Sequence, residues 1–288
     1  MTGWTERIIT EFRANAGRVG GRFEGADLLL LTTLGARSAL RRTTPVGYAR
    51  EGGALHVFAS NAGAGRHPGW YHNLLAHPQA VVEIGDGAGG VRTLTVRARP
   101  LAAAERDLAW ARQAAAVPAY GEYEARTTRV IPVVALLPLD LAVPDDGRNR
   151  ALAHQLRSVH ATMRAQLAAL RDGGPAAGGE LAVHCLAFCD ALGAHHGAED
   201  MVLPAFDAAF PRLAPVLARL REEHRQVAGA LEELRALLEQ GAEPGAVRPR
   251  LEALAADAET HFAYEERYLL PALLGEEAGN VPGGSGLS

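Results

Sequence analysis

Four stretches in the second half of the chain, at 150–171, 180–210, 213–240 and 247–274, each carry an apolar seam at alternating three- and four-residue spacing. That is the period of a helix that buries one face. Each seam is broken near its middle by a histidine, at His160, His195, His224 and His261, and two are broken again by Glu199 and Glu265. An unpartnered buried carboxylate costs several kcal/mol or gives up its charge. One such interruption is tolerable, but four at one depth call for a shared partner. The depths agree: His224 and His261 each lie roughly 16 residues, or ~24 Å of helix, from the Gly-bounded turn at 241–245. Short breaks between the stretches favour antiparallel neighbours, hence an all-α, up-down four-helix bundle.

The spacing sharpens the chemistry. His195 and Glu199, and again His261 and Glu265, are four apart and project from one helical face. Inward-facing His and Glu from four helices build carboxylate-bridged two-metal sites. Mixed imidazole and carboxylate donors suit iron or manganese, whereas zinc favours fewer, tetrahedral ligands. His196, next to His195, could add a further nitrogen. His184 lies ~16 Å up its helix from His195 and reads as structural, and His154 as a residue of the bundle rim. Cys185 and Cys189 read as small core residues. Asp200 and Glu266 directly follow a ligand and read as solvent-facing or as supports for it.

The strings HHGAEDMVLP and HFAYEERYLLP, with SVHATMRAQL and LREEHRQVAGAL, resemble the two HxxxE helices and the single-histidine helices of hemerythrin-like (HHE) domains. The resemblance spans about 150–274 and implies a non-haem di-iron centre. Its ligands would be His160, His195, Glu199, His224, His261 and Glu265, with His196 as the additional candidate, and it would bind or sense O2, peroxide or nitric oxide.

The first half has another texture. Runs at 28–33, 55–60, 80–84, 93–99 and 130–137 read as strands between Gly and Pro punctuation, with helices at 68–76 and 102–116. This order fits a small α+β barrel better than a doubly wound sheet. Between the first two strands, Arg37, Ser38, Arg41, Arg42, Thr43 and Thr44 read as an Arg-rich loop, suited either to an oxyanion, which guanidinium grips in a bidentate fork, or to solvent. The segment from His67 to Tyr71 opens a helix whose free N–H groups favour anions. Tyr120 and Tyr123 follow Pro118, placed to donate a proton, stack on a ring or cover a core.

The run from Thr32 to Ile84, including GARSALRRTTPVGY and GRHPGWYHNLLAHP, together with PAYGEYEARTTRVIPVV, is similar to the deazaflavin-dependent nitroreductase family over about 27–139. The resemblance implies a split β-barrel that binds coenzyme F420, with flavin mononucleotide as the alternative. Arg37, Ser38 and Arg42 would then hold the phosphate and acidic tail. Ser60, Asn61, Trp70 and Asn73 would line the ring pocket. Tyr120 and Tyr123 would meet the substrate, a quinone or nitroaromatic acceptor of hydride.

Composition excludes more than it assigns. The net charge of −4, with Arg supplying all 29 fixed cations, asks for neither nucleic acid nor an anionic membrane surface. Two cysteines four apart argue against a disulfide framework and for a reducing, cytoplasmic compartment. No signal peptide and no transmembrane segment is expected. The expected layout is a barrel over 1–139, a linker over 140–150, a bundle over 151–274 and a disordered tail over 275–288. The expected function is F420-dependent reduction coupled in one chain to a di-iron module. The alternative is a non-catalytic iron or oxygen sensor or store whose barrel only binds a flavin-type cofactor.

Overall fold

The computed structural model describes residues 2–38, 40–141, 146–171 and 179–276. Residues 142–145 of the expected linker, the break after the first bundle helix and the expected tail beyond residue 276 lie outside those residues, whereas 146–150, expected as linker, are already helical. Contacts divide the chain into two compact units, Met1–Leu139 and Asp140–Ser288.

In the first unit six strands, β1 (Leu28–Leu34), β2 (Arg41–Glu51), β3 (Ala54–Phe58), β4 (Gln79–Gly85), β5 (Val91–Pro100) and β6 (Val133–Pro138), form a closed barrel in the order β1-β2-β3-β6-β5-β4. Every pairing is antiparallel, and β4 returns to β1 through Leu30↔Glu83 and Leu31↔Val82. Closure leaves no free sheet edge. The inward residues of β4 alternate as Ala80, Val82 and Ile84, all fully buried, the period-two signature of a strand with one face in a core.

Three features depart from the sequence reading. Residues 41–45 are not loop: they begin β2, where Arg42 pairs with Thr33 and Thr44 with Leu31. The buried β1 supplies a complete ladder to pair with, and the Thr side chains suit a pleated surface. The connecting turn is thereby reduced to 35–40. The strand expected to run to residue 60 stops at Phe58, because Asn61, Ala62 and Gly63 take positive φ of 49°, 52° and 80°. A helix α1 (Thr2–Ala14), not anticipated, buries Ile8 and Phe12 against Leu28 and Leu30. Helices α2 (Gly69–Ala76), α3 (Ala103–Ala116) and the short α4 (Ala119–Ala125) complete the unit.

The second unit consists of α5 (Asp146–Arg171), α6 (Gly179–Ala209), α7 (Ala214–Glu239) and α8 (Pro244–Leu274). Helix α5 packs on α6 and α8, and α7 packs on the same two, so consecutive helices are neighbours around a common axis. One apolar layer joins Met163 and Leu167 of α5, Cys185, Phe188 and Leu192 of α6, Val227 and Leu231 of α7, and Leu254, Ala258 and Phe262 of α8. These residues follow the seam histidine on α5 and α7, and most precede it on α6 and α8, as antiparallel packing requires. Beyond the histidines lie Met201, Leu203, Phe206, Leu217, Leu220, Leu269 and Leu270, again buried. The polar residues therefore form one layer between two greasy ones. No described helix is long and apolar enough to cross a membrane.

Candidate metal centre and cofactor cleft

Two groups of side chains meet in the polar layer of the bundle. His160, His195, Glu199 and Glu265 form one, and His196, Glu199, His224 and His261 the other, with donor atoms in each group within 4.8 Å of one another. All seven candidates converge, three from α6, two from α8 and one each from α5 and α7. His160 Nε2 and His195 Nε2 are 3.1 Å apart, and His224 Nε2 and His261 Nε2 are 3.2 Å apart. At these separations one ion about 2.1 Å away could meet both nitrogens of a pair. Glu265 lies between the pairs, 3.2 Å from His160 and 3.5 Å from His261. Glu199 does the same, 3.1 Å from His195 and 3.6 Å from His224.

The layer is buried and incomplete without a cation. Both oxygens of Glu199, both oxygens of Glu265 and His196 Nε2 are shielded from solvent without a hydrogen-bond partner. Buried polar groups are almost always satisfied, and five orphan atoms aimed at one space fit metal ions. The electrostatics agree. Burial drives the His195 imidazole down to about 3 and His196 well below its usual value, so both present neutral nitrogens. His160 and His224 are also buried, but the carboxylates that face them push them up to about 10: Glu199 and Glu265 beside the first, Asp200 and Glu265 beside the second. In the absence of metal these two histidines carry protons where a cation would carry charge.

Each of three imidazoles donates its outer N–H to a carboxylate. His160 Nδ1 bonds Glu266 (2.9 Å), His224 Nδ1 bonds Asp200 (2.7 Å) and His261 Nδ1 bonds Glu223 (2.8 Å). Such bonds fix the tautomer that leaves Nε2 free for a metal. Arg164 in turn grips Glu266 and Glu259, and Arg219 grips Glu223 (2.6 Å). Phe262 stacks on His160 with ring centroids 4.3 Å apart and closes one side of the layer. Asp200 and Glu266 thus take the supporting one of their two readings. Glu223 carried no sequence signal, because it stands one residue before His224 and reaches across to a different helix. His184 and His154 are exposed, away from this layer.

The barrel carries an open cleft of about 970 Å³. Of the residues singled out from sequence, Arg37, Ser38, Arg42, Thr44, Asn61, His67, Trp70 and Asn73 line it, joined by Arg66 and His72. No carboxylate lines it among the described residues, so three guanidiniums set its field and favour an anionic ligand. Asn73 Oδ1 accepts the Ala36 N–H (3.0 Å) and its Nδ2 donates to Thr33 (2.9 Å), which ties α2 to the turn bearing Arg37. Ser60 is not among the lining residues; its carbonyl accepts a hydrogen bond from Arg129 (2.6 Å). Tyr120 and Tyr123 also stand apart from the lining, packed with Phe58 and Trp110. Burial pushes the Tyr120 phenol up to about 12, so it keeps its proton at neutral pH.

Comparison with known proteins assigns both halves. The family model for F420H(2)-dependent quinone reductase matches residues 4–138. An F420H(2)-dependent quinone reductase of Mycobacterium tuberculosis is 40% identical over 129 residues, which cover 43% of this chain and 83% of the relative. The chain belongs to the F420H(2)-dependent quinone reductase family. A second M. tuberculosis protein of the same description is 29% identical over 122 residues, covering 42% of this chain and 98% of its own. A solved F420-H2 dependent reductase is 36% identical, over 38% of this chain and 93% of its own, with a TM-score of 0.34. This quinone reductase family member continues past its relatives' match into a hemerythrin HHE cation binding domain, matched over residues 151–273.

Proposed function

We propose that the chain is an F420H2-dependent reductase of quinone or nitro acceptors, joined to a non-haem di-iron module that binds or senses O2, peroxide or nitric oxide. The cleft that gathers Arg37, Arg42 and Arg66 with no carboxylate among the described residues carries the first part. In this reading Arg37, Ser38 and Arg42 hold the phosphate and acidic tail of F420, while Asn61, Trp70 and Asn73 border its ring, with Ser60 behind them. When bound, reduced F420 supplies a hydride to the acceptor. In this reading Tyr120 and Tyr123, which pack beside Phe58 and Trp110 and not on the cleft lining, would meet the acceptor, and Tyr120, still protonated at neutral pH, would be the proton donor.

The five orphaned atoms between five imidazoles support the second part. His196, His224 and His261 would hold one iron, and His160 and His195 the other. Glu199 and Glu265 would lie between them, with Asp200, Glu223 and Glu266 orienting the rings.

Anaerobic mixing of the purified chain with F420H2 and menadione tests the enzyme. Deazaflavin reoxidation that depends on the acceptor is expected, whereas binding without turnover would favour a sensor. Metal analysis after reconstitution with ferrous iron should find about two ions per chain, as expected of a carboxylate-bridged pair. A bundle that takes up none would defeat the second half of the proposal.

A further inference from the structure

Arg129 lies between α4 and β6 and contributes nothing to the cleft surface, yet four of its contacts fall on the segment that forms one cleft wall. Its Nη2 donates to the carbonyls of Ala59 (3.0 Å) and Ser60 (2.6 Å), and its Nε donates to that of Ala64 (2.9 Å). Its Nη1 lies 2.8 Å from His67 Nδ1. The bound segment holds the positive-φ residues Asn61, Ala62 and Gly63, a run that persists only where the surroundings over-determine it. Asn61 adds a clamp of its own, with Nδ2 donating to the Arg66 carbonyl (3.1 Å).

The fourth contact fixes more than position. Coordinates alone leave the proton of a neutral imidazole unassigned, but a guanidinium has only donors and does not deprotonate in proteins. His67 Nδ1 must therefore be the acceptor, and the ring proton sits on Nε2. That N–H has no partner among the described residues, and His67 lines the cleft. Burial and the adjacent Arg129 both hold the ring below its usual pKa, in keeping with a neutral ring. His72 and Tyr71, its other ring neighbours, lie with centroids 6.0 and 5.0 Å away.

We infer that Arg129 is a positioning residue that locks His67 as an Nε2–H donor to an acceptor oxygen of the deazaflavin bound in the cleft. This rests on the F420 reading of the cleft. It adds His67 as a ligand-contacting residue and Arg129 as the group that orients it.

Two measurements on the full chain test it. In ligand-free protein, long-range 1H–15N spectra should give His67 a pyridine-type Nδ1 and a pyrrole-type Nε2, and Arg129→Lys should mix the two tautomers. A protonated Nδ1 in the parent protein would overturn the inference. For F420 itself, His67→Ala is expected to weaken binding about tenfold, equivalent to ~1.4 kcal/mol. His67→Gln, whose amide N–H can stand where Nε2–H stood, should stay within about threefold of the parent, on the scale of one retained hydrogen bond. Repeating the titration with the deazaflavin riboside that lacks the phosphoryl tail locates the acceptor: a loss with both ligands places it on the ring, a loss with F420 alone on the tail. Equal binding by His67→Ala and the parent sinks the inference and leaves the family reading intact. A parent protein that binds no F420 sinks both the cleft reading and the donor role, while the spectra still decide the tautomer.

Discussion

The metal layer concentrates seven ionisable side chains where apolar packing would otherwise continue, and their charge states set what the bundle tolerates. Without metal, His160 and His224 titrate near 10 in the folded chain against an ordinary value of about 6.5 when unfolded. A raised histidine stabilises the fold fully below its unfolded pKa and loses that contribution as pH climbs toward the folded one. Glu199, raised by burial and by Glu265, acts in the same direction above the ordinary carboxylate range. The metal-free bundle is therefore expected to lose melting temperature as pH rises from about 6.5 to 8.5, while the iron-loaded form, its ligands already deprotonated, does not. Melting curves with and without chelator across that window check this, and a flat metal-free profile would contradict it. At the same scale, Cys185 and Cys189 are buried, and burial pushes the Cys189 thiol up to about 11. Since the thiolate is the nucleophile, iodoacetamide at pH 8 is expected to spare both in the folded chain and to modify both in urea; rapid labelling of the native protein would show a pocket that the packing excludes.

Among the elements, the two HxxxE helices were legible because a four-residue step on a helix always returns to the same face, whatever lies opposite. The β1–β2 hairpin was not. Its Arg41–Thr44 stretch has the composition of a loop, and only pairing with the largely buried β1 makes it a strand. That pairing also places Arg42 and Thr44 on the cleft beside the turn bearing Arg37. The positive-φ turn after β3 was invisible for a similar reason. Gly63 needs both its φ of 80° and its missing side chain, since a Cβ there would stand 2.8 Å from the Tyr123 carbonyl and 2.9 Å from Arg126 Cβ. Gly63→Ala is accordingly expected to destabilise the barrel by about 1–3 kcal/mol and to weaken F420 binding, as read by thermal denaturation and fluorescence titration. An unchanged melting curve would show that the turn relaxes without penalty.

At the scale of the whole molecule, two compact units divide the chain near residue 139, and each encloses its own apolar core. On the proposed reading, each unit is expected to unfold on its own and removal of iron to act on the bundle. Chelation is expected to lower the bundle's melting transition by several degrees, as loss of a ligand bound only to the folded state requires. A second transition, assigned to the barrel by its shift with F420, should stay in place. A single transition that moves as one with chelator would refute that independence. Sequence alone determined the helical seams, the His and Glu that interrupt them, the change of architecture near residue 140 and most of the residues around the cleft. The seams, the residues that interrupt them and the change of architecture follow from periodicity, spacing or texture along one segment, which local geometry fixes; the cleft residues were named by the family resemblance. Tertiary structure alone decided which partners meet: Glu223 across to His261, Arg164 to Glu266, Arg129 to His67, and Tyr120 among aromatic rings rather than on the cleft surface. Such contacts join residues far apart in the chain. Their geometry depends on how helices and strands pack, and no repeat along a single segment encodes it.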